Sequence, residues 1–180
     1  KVGIFSHGVD VNKFNPNNRD DNIRKSYGLN VSALYVGRIA VEKNLDFLVD
    51  IFKEIKNGSL VLVGDGPHKK DLEKNGNALY LGFKTGDDLA KIYASCDFFV
   101  FPSTTDSFGM VVLEAMASGL PVLVSDKGGP KEIVLDKISG FVIKSNDKKA
   151  WKEKIELLIK DGKLRKKLGF MSRDLALRKS

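Results

Sequence analysis

Short apolar runs alternate with helix-period stretches along most of this chain, and that alternation restricts its fold more than any single residue does. Runs of four to six residues rich in Val, Leu and Phe fall at 33–37, 60–64, 78–82, 98–102 and 121–125, with a weaker sixth at 140–143. Most are apolar on both faces, a pattern that suits a parallel sheet covered by helices on each side. Between them, 44–56 places Leu45, Leu48, Val49, Phe52 and Ile55 on one stripe, and 87–95 and 108–118 are the next helical stretches. Strict alternation of this kind implies right-handed crossovers and predicts one domain, a doubly wound, Rossmann-like α/β parallel sheet of about six strands. Residues 147–160 and 163–177 then read as two amphipathic helices broken at Asp161-Gly162, and Trp151 is expected to anchor the first of them on the sheet. There is no internal repeat and no low-complexity linker.

Composition narrows the function classes. A chain of 180 residues with 42% hydrophobic content is long and apolar enough for a core of its own. Of 30 Lys and Arg and 23 Asp and Glu, 13 and 5 lie in residues 144–180, which leaves 17 and 18 for the rest. The net charge of +7 therefore belongs to the tail. A near-neutral body without a basic-aromatic surface pattern disfavours nucleic acid as a partner. The basic tail fits a solvated face or one lying near anionic lipid, although it lacks the Trp- and Phe-rich apolar face of a strong membrane-surface helix. Cys96 is the single cysteine, which excludes an internal disulfide and fits a reducing compartment; we expect it to be a small packing residue. No run approaches the ~18 apolar residues of a membrane span, so a cytoplasmic protein is expected, with the tail suited to the inner face of a membrane. His7 and His68 are expected at the surface, too few for a metal site. The chain opens at Lys1 in mid-pattern and without Met, so preceding sequence is expected.

In an open parallel sheet, ligands sit beyond the carboxyl ends of the strands. The first run ends at Gly37-Arg38, and Lys43 follows at the start of the next helix. Two cations beside free N–H groups suit a diphosphate, although taken alone the pair reads more readily as two surface residues. The second run ends in Gly64-Asp65-Gly66-Pro67, which resembles a dinucleotide fingerprint and fails as one. Lys69 replaces the third glycine, and Leu81-Gly82-Phe83-Lys84 stands where a ribose-binding acid belongs, so these glycines are read as a tight turn and a nicotinamide oxidoreductase is disfavoured. The fourth run leads through Asp106, Ser107, Phe108, Gly109 and Met110 into a helix whose one charge is Glu114. An unpaired carboxylate there would cost several kcal/mol, so it faces a partner or a ligand. A ribose diol would suit it, and so would an ion pair with Arg38 or Lys43; Asp106 or Ser107 is either a ligand contact or an N-cap.

Together these segments resemble family 4 of the retaining glycosyltransferases, enzymes of two facing Rossmann-like domains known as the GT-B fold. His7-Gly8-Val9-Asp10 with Phe14 and Pro16 is similar to the approach to the family's C-terminal domain, where Asn is usual in place of His7. Tyr35-Val36-Gly37-Arg38 with Glu42-Lys43 resembles its phosphate loop, and Gly82-Phe83 the loop that contacts the base. Ser107-Phe108-Gly109 through Glu114 and on to Val122 resembles the Glu-x7-Glu motif, with Asp106 in place of the first Glu. The resemblance implies a donor-binding domain spanning 1–180, with 1–18 arriving from an N-terminal domain and 147–180 forming the terminal helices. It implies that Arg38 and Lys43 neutralise the diphosphate of a UDP- or GDP-sugar with help from the amides near Gly109 and Met110. Glu114 would hold the ribose, and Asp106 would contact the donor sugar. It further implies retention of configuration without a metal or other cofactor, hexosyl transfer to a glycan or lipid-linked acceptor in cell-envelope synthesis, and little activity without the N-terminal domain. An epimerase on the same scaffold and a non-catalytic nucleotide-binding domain are the alternatives.

Overall fold

The structure is a computed structural model and describes residues 8–180; His7 and the segment before it lie outside the described residues. Six strands, β1 (Val31–Val36), β2 (Gly58–Val63), β3 (Leu79–Gly82), β4 (Phe98–Phe101), β5 (Val122–Ser125) and β6 (Gly140–Ile143), form one sheet. Their order is β3-β2-β1-β4-β5-β6 and every pairing is parallel. This is the doubly wound order whose direction reverses between β1 and β4, and the gap left there at the carboxyl ends is where such sheets take ligands.

Among the described residues seven α-helices cover the sheet: α1 (Asp21–Ser26), α2 (Leu45–Phe52), α3 (Lys69–Glu73), α4 (Gly86–Ser95), α5 (Met110–Ala117), α6 (Lys148–Lys160) and α7 (Gly162–Arg178). One layer has α2 touching α3 and α6; in the other, α4 touches α1 and α5, and α5 touches α7. β1, β4 and β5 are almost wholly buried between them, which is why their sequences lack a polar face.

The apolar runs and the strands agree to within two residues, and two differences have local causes. Helix α2 stops at Phe52 because the amides of Glu54 and Ile55 turn back to carbonyls only three residues earlier and Asn57 takes φ 62°. Ile55 still packs on the core, so the apolar stripe outlasts the helix that was inferred from it. Helices α1 and α3 are too short and polar to show a period; capping starts α1, the Asp20 carboxylate accepting from the Asn22 amide. The break between α6 and α7 is only Asp161, whose side chain accepts from the Leu164 amide while Arg165 donates to the last carbonyls of α6.

Trp151 is buried, meets Phe47 of α2 edge-to-face at 6.1 Å and donates to the Lys144 carbonyl, so it ties α6 to α2 and to the exit from β6. Cys96 is buried and desolvation pushes its thiol up to about 12, as a packing residue requires. His68 is not the surface residue expected: its ring is mostly covered and lies 2.6 Å from Asp46 of α2, because the β2 turn folds down onto that helix. Lys163, Lys166, Lys167 and Phe170 share the outward face of α7, where Phe170 is 74% exposed. No helix among the described residues is long and apolar enough to cross a membrane.

Candidate functional site

A cleft of about 410 Å³ opens at the carboxyl ends of β1, β2 and β3. Gly37 and Arg38 line it from the β1 loop, Gly64 and Asp65 from the β2 loop, Phe83 from the β3 loop, and Glu114 with Val111 from α5. Four of the sequence candidates thus share one cavity: Gly37, Arg38, Phe83 and Glu114. Gly82, with φ 75°, turns the chain into that wall, its carbonyl accepting from the Gly64 amide at 2.8 Å. Phe83 is 75% exposed and Arg38 64%, its guanidinium reaching Glu42 at only 3.9 Å.

Glycine is required at position 64 for more than its turn. A side chain there would run into the Gly37 carbonyl, and the backbone sits at φ 140°. The β1 and β2 loops touch main chain to main chain, which fixes one wall of the cleft. Tyr35 fixes the other end of the β1 loop. Its hydroxyl donates to the Arg38 carbonyl at 2.9 Å, and burial together with the charges of Asp106 and Glu42 keeps the phenol protonated.

Lys43, at the end of a single 3-10 turn (Val41–Lys43), does not line this cleft. It crosses the switch point to Asp106, its Nζ lying 2.8 and 3.1 Å from the two carboxylate oxygens, with side chains only 19% and 23% exposed. The Ser103 hydroxyl donates to the same carboxylate. Asp106 and Ser107 are not N-caps: α5 is capped by Gly109 at φ 91°, without a side-chain bond. Gly109 and Met110 open α5, whose first amides have no earlier turn of helix to bond.

Of the two readings open for Glu114, the ion pair with Arg38 or Lys43 does not form among the described residues: Lys43 is taken by Asp106, and Arg38 reaches only Glu42. Glu114 is half-buried and accepts from the Tyr93 hydroxyl at 2.9 Å. Burial raises its pKa, while the Tyr93 hydrogen bond and the charge of Lys13 oppose that rise.

Sequence reasoning missed three participants. Tyr93 and Lys13 carry no local signal. Gly128-Gly129-Pro130 after β5 did carry one. The Gly129 amide donates to the Asp106 carbonyl at 2.8 Å, a side chain at 129 would strike the Ser107 carbonyl, and Pro130 packs near Gly109. This glycine pair lets the β5 loop brace the 105–109 segment directly. A double glycine beyond a strand end is the legible mark of such an approach.

The parallel sheet, its switch point and the loops gathered there define a Rossmann-like α/β domain of the GT-B type. Residues 19–174 match the family described as Glycosyl transferases group 1, and the chain belongs to that family. It is 37% identical to sulfoquinovosyl transferase SQD2 of Arabidopsis thaliana over 97% of its own length and 36% of that protein's. It is 35% identical to a GDP-mannose-dependent alpha-mannosyltransferase of Mycobacterium tuberculosis over 79% of its own length and 38% of that protein's. Anabaena HepE, solved in complex with UDP-glucose, superposes with a TM-score of 0.86 at 24% identity, over 96% of this chain and 51% of that one. The C-terminal domain of the group 1 glycosyl transferase LpcC from Francisella tularensis superposes with a TM-score of 0.81 at 24% identity over 95% of this chain and 97% of that one. The chain therefore spans well under half the length of these two sequence relatives, and nearly all of a single C-terminal domain.

Proposed function

We propose that this chain is the donor-binding half of a retaining hexosyltransferase that takes a UDP- or GDP-sugar, and that an N-terminal domain of the same protein completes the acceptor side. The observation that carries the reading is the convergence of Arg38, Phe83 and Glu114 on one cleft, with the Lys43–Asp106 pair spanning the switch point. Phe83 and the backbone at Gly82 meet the base. Glu114 accepts from the ribose hydroxyls, and Arg38 and Lys43 face the diphosphate together with the first amides of α5, near Gly109 and Met110. Asp106 contacts the sugar, with Ser107 and Phe108 shaping the loop around it. The names of the relatives support the class of donor and point to both UDP and GDP.

When the sugar C1–O bond breaks, its electron pair stays with the departing diphosphate, and an acceptor hydroxyl oxygen bonds to C1 as its proton passes to that diphosphate. Charge therefore grows on the phosphate oxygens, where preorganised cations and a helix N-terminus stabilise it without a metal or cofactor. In the structure Lys43 is closed on Asp106. A donor would draw that ammonium between the carboxylate and the diphosphate, linking the group beside the sugar to the group beside the leaving group. Calorimetry with UDP, GDP and ADP tests the assignment: at least one binds with a millimolar or tighter dissociation constant, and failure of all three at millimolar ligand overturns it. The basic outward face of α7 is read as a contact for the N-terminal domain or for anionic lipid at the inner face of a membrane, as suits a cytoplasmic enzyme of cell-envelope synthesis. Flotation of the full-length protein with anionic vesicles separates the two.

A further inference from the structure

We infer that Tyr93 is a positioning residue for the donor site: its hydroxyl fixes one oxygen of Glu114 and thereby sets the direction in which the other is offered to ribose. The inference rests on the reading of Glu114 as the ribose ligand. Apart from Glu114, α5 carries no charged side chain, so the carboxylate finds no side-chain donor on its own helix. The donor comes from α4. The Tyr93 ring is fully buried, set edge-to-face against Phe14 at 5.5 Å and tilted against Phe99 at 5.9 Å. Held on both sides, the phenol has no room to swing. Its oxygen lies 2.9 Å from Glu114 Oε2 and 3.2 Å from the Val111 carbonyl.

A phenol has one proton to give, and the ionised carboxylate is the stronger acceptor of the two. Burial and the adjacent carboxylate raise the Tyr93 pKa well above 10.0, so the phenol remains a donor throughout the physiological range. Oε1 has no protein hydrogen bond among the described residues, and Glu114 lines the cleft beside Arg38 and Phe83. One oxygen is thus anchored and the other left for a ligand. Without the anchor, the side chain would be free to rotate, and ribose binding would have to order it.

The test compares UDP with 2′-deoxy-UDP, and GDP with 2′-deoxy-GDP, on the full-length protein by calorimetry. The wild type favours the ribonucleotide by about tenfold, the worth of one hydrogen bond to a charged group. In Tyr93→Phe that preference falls to about threefold or less, while affinity for the deoxynucleotide changes by less than about twofold. A general loss of structure would weaken both nucleotides alike. If Glu114→Gln abolishes the ribose preference and Tyr93→Phe retains it, the positioning role is overturned and the donor site stands. If the wild type shows no preference, the ribose assignment of Glu114 falls, and the role of Tyr93 with it. Should Tyr93→Phe not fold, 3-fluorotyrosine at position 93 supplies a stronger donor of nearly the same shape. The Glu114 carboxyl midpoint, read by carbon-13 NMR, then moves down, and an unchanged midpoint overturns the inference.

Discussion

Asp97, at the amino end of the sheet, accepts the Ser32 amide at 2.8 Å and the Arg24 guanidinium at 3.0 Å, and Arg24 also binds the Ser95 and Asn30 carbonyls. Arg173 works the same way nearby, gathering the carbonyls of Val11, Phe14 and Ala117 at 2.8 to 3.0 Å. Asp106, at the carboxyl end, is held instead by two side chains, Lys43 and Ser103, and Arg38, among the described residues, by nothing closer than Glu42. Charges bonded to main chain have partners that cannot leave without unfolding. Charges bonded only to side chains have partners that a ligand can replace. The first end of the sheet is bonded for stability, and on the proposed function the second is built for exchange.

The largest expected effect lies at the amino end. Arg173→Ala strands three carbonyls and separates α7 from α5 and the 11–14 segment, which should cost about 3 kcal/mol and lower Tm by roughly 6 to 12 °C. Nucleotide affinity of the folded protein should change by less than about twofold. A loss below about 2 °C by calorimetry would erase the contrast between the two ends.

At the carboxyl end the effects should invert. Lys43→Ala should weaken a nucleoside diphosphate by about ten- to a hundredfold while leaving the nucleoside unaffected, and should shift Tm by no more than about 2 °C. Equal weakening of nucleoside and nucleoside diphosphate would remove Lys43 from the phosphate site.

Glu114→Gln should show the smallest shift in stability and one of opposite sign. Burial raises the folded-state pKa of Glu114 above its usual 4.5, so this carboxyl's contribution to stability is complete below the unfolded value and is lost as pH rises through the folded one. The amide does not titrate. Scanning calorimetry across the acid range should therefore find the variant gaining on the wild type as pH rises, while its ribonucleotide affinity falls. A pH-independent difference in Tm would sink that account.

Much of the site was readable as residue types. Arg38, Lys43 and Asp106 stand out because each follows an apolar run that ends at the carboxyl edge, and Glu114 because it is the one charge on an apolar helix. Their partners were not readable. The choice of Lys43 for Asp106 joins residues 63 positions apart, and that of Tyr93 for Glu114 residues 21 apart, across separate elements. Tyr93 in particular reads in the sequence as one more apolar face of α4, since nothing local distinguishes a core tyrosine whose hydroxyl is used from one whose hydroxyl is not.

The alternation of apolar runs with helical stretches determined by itself the parallel sheet, its six strands and the edge at which polar residues collect. A run without a polar face has only one stable environment, between two layers of helices. The strand order, and with it the gap between β1 and β4, came from tertiary structure, because it depends on which strands bury each other best across the whole chain. The same holds for the pairing of charges at that gap. A carboxylate binds the nearest available cation or hydroxyl, and only the assembled fold decides which one is near.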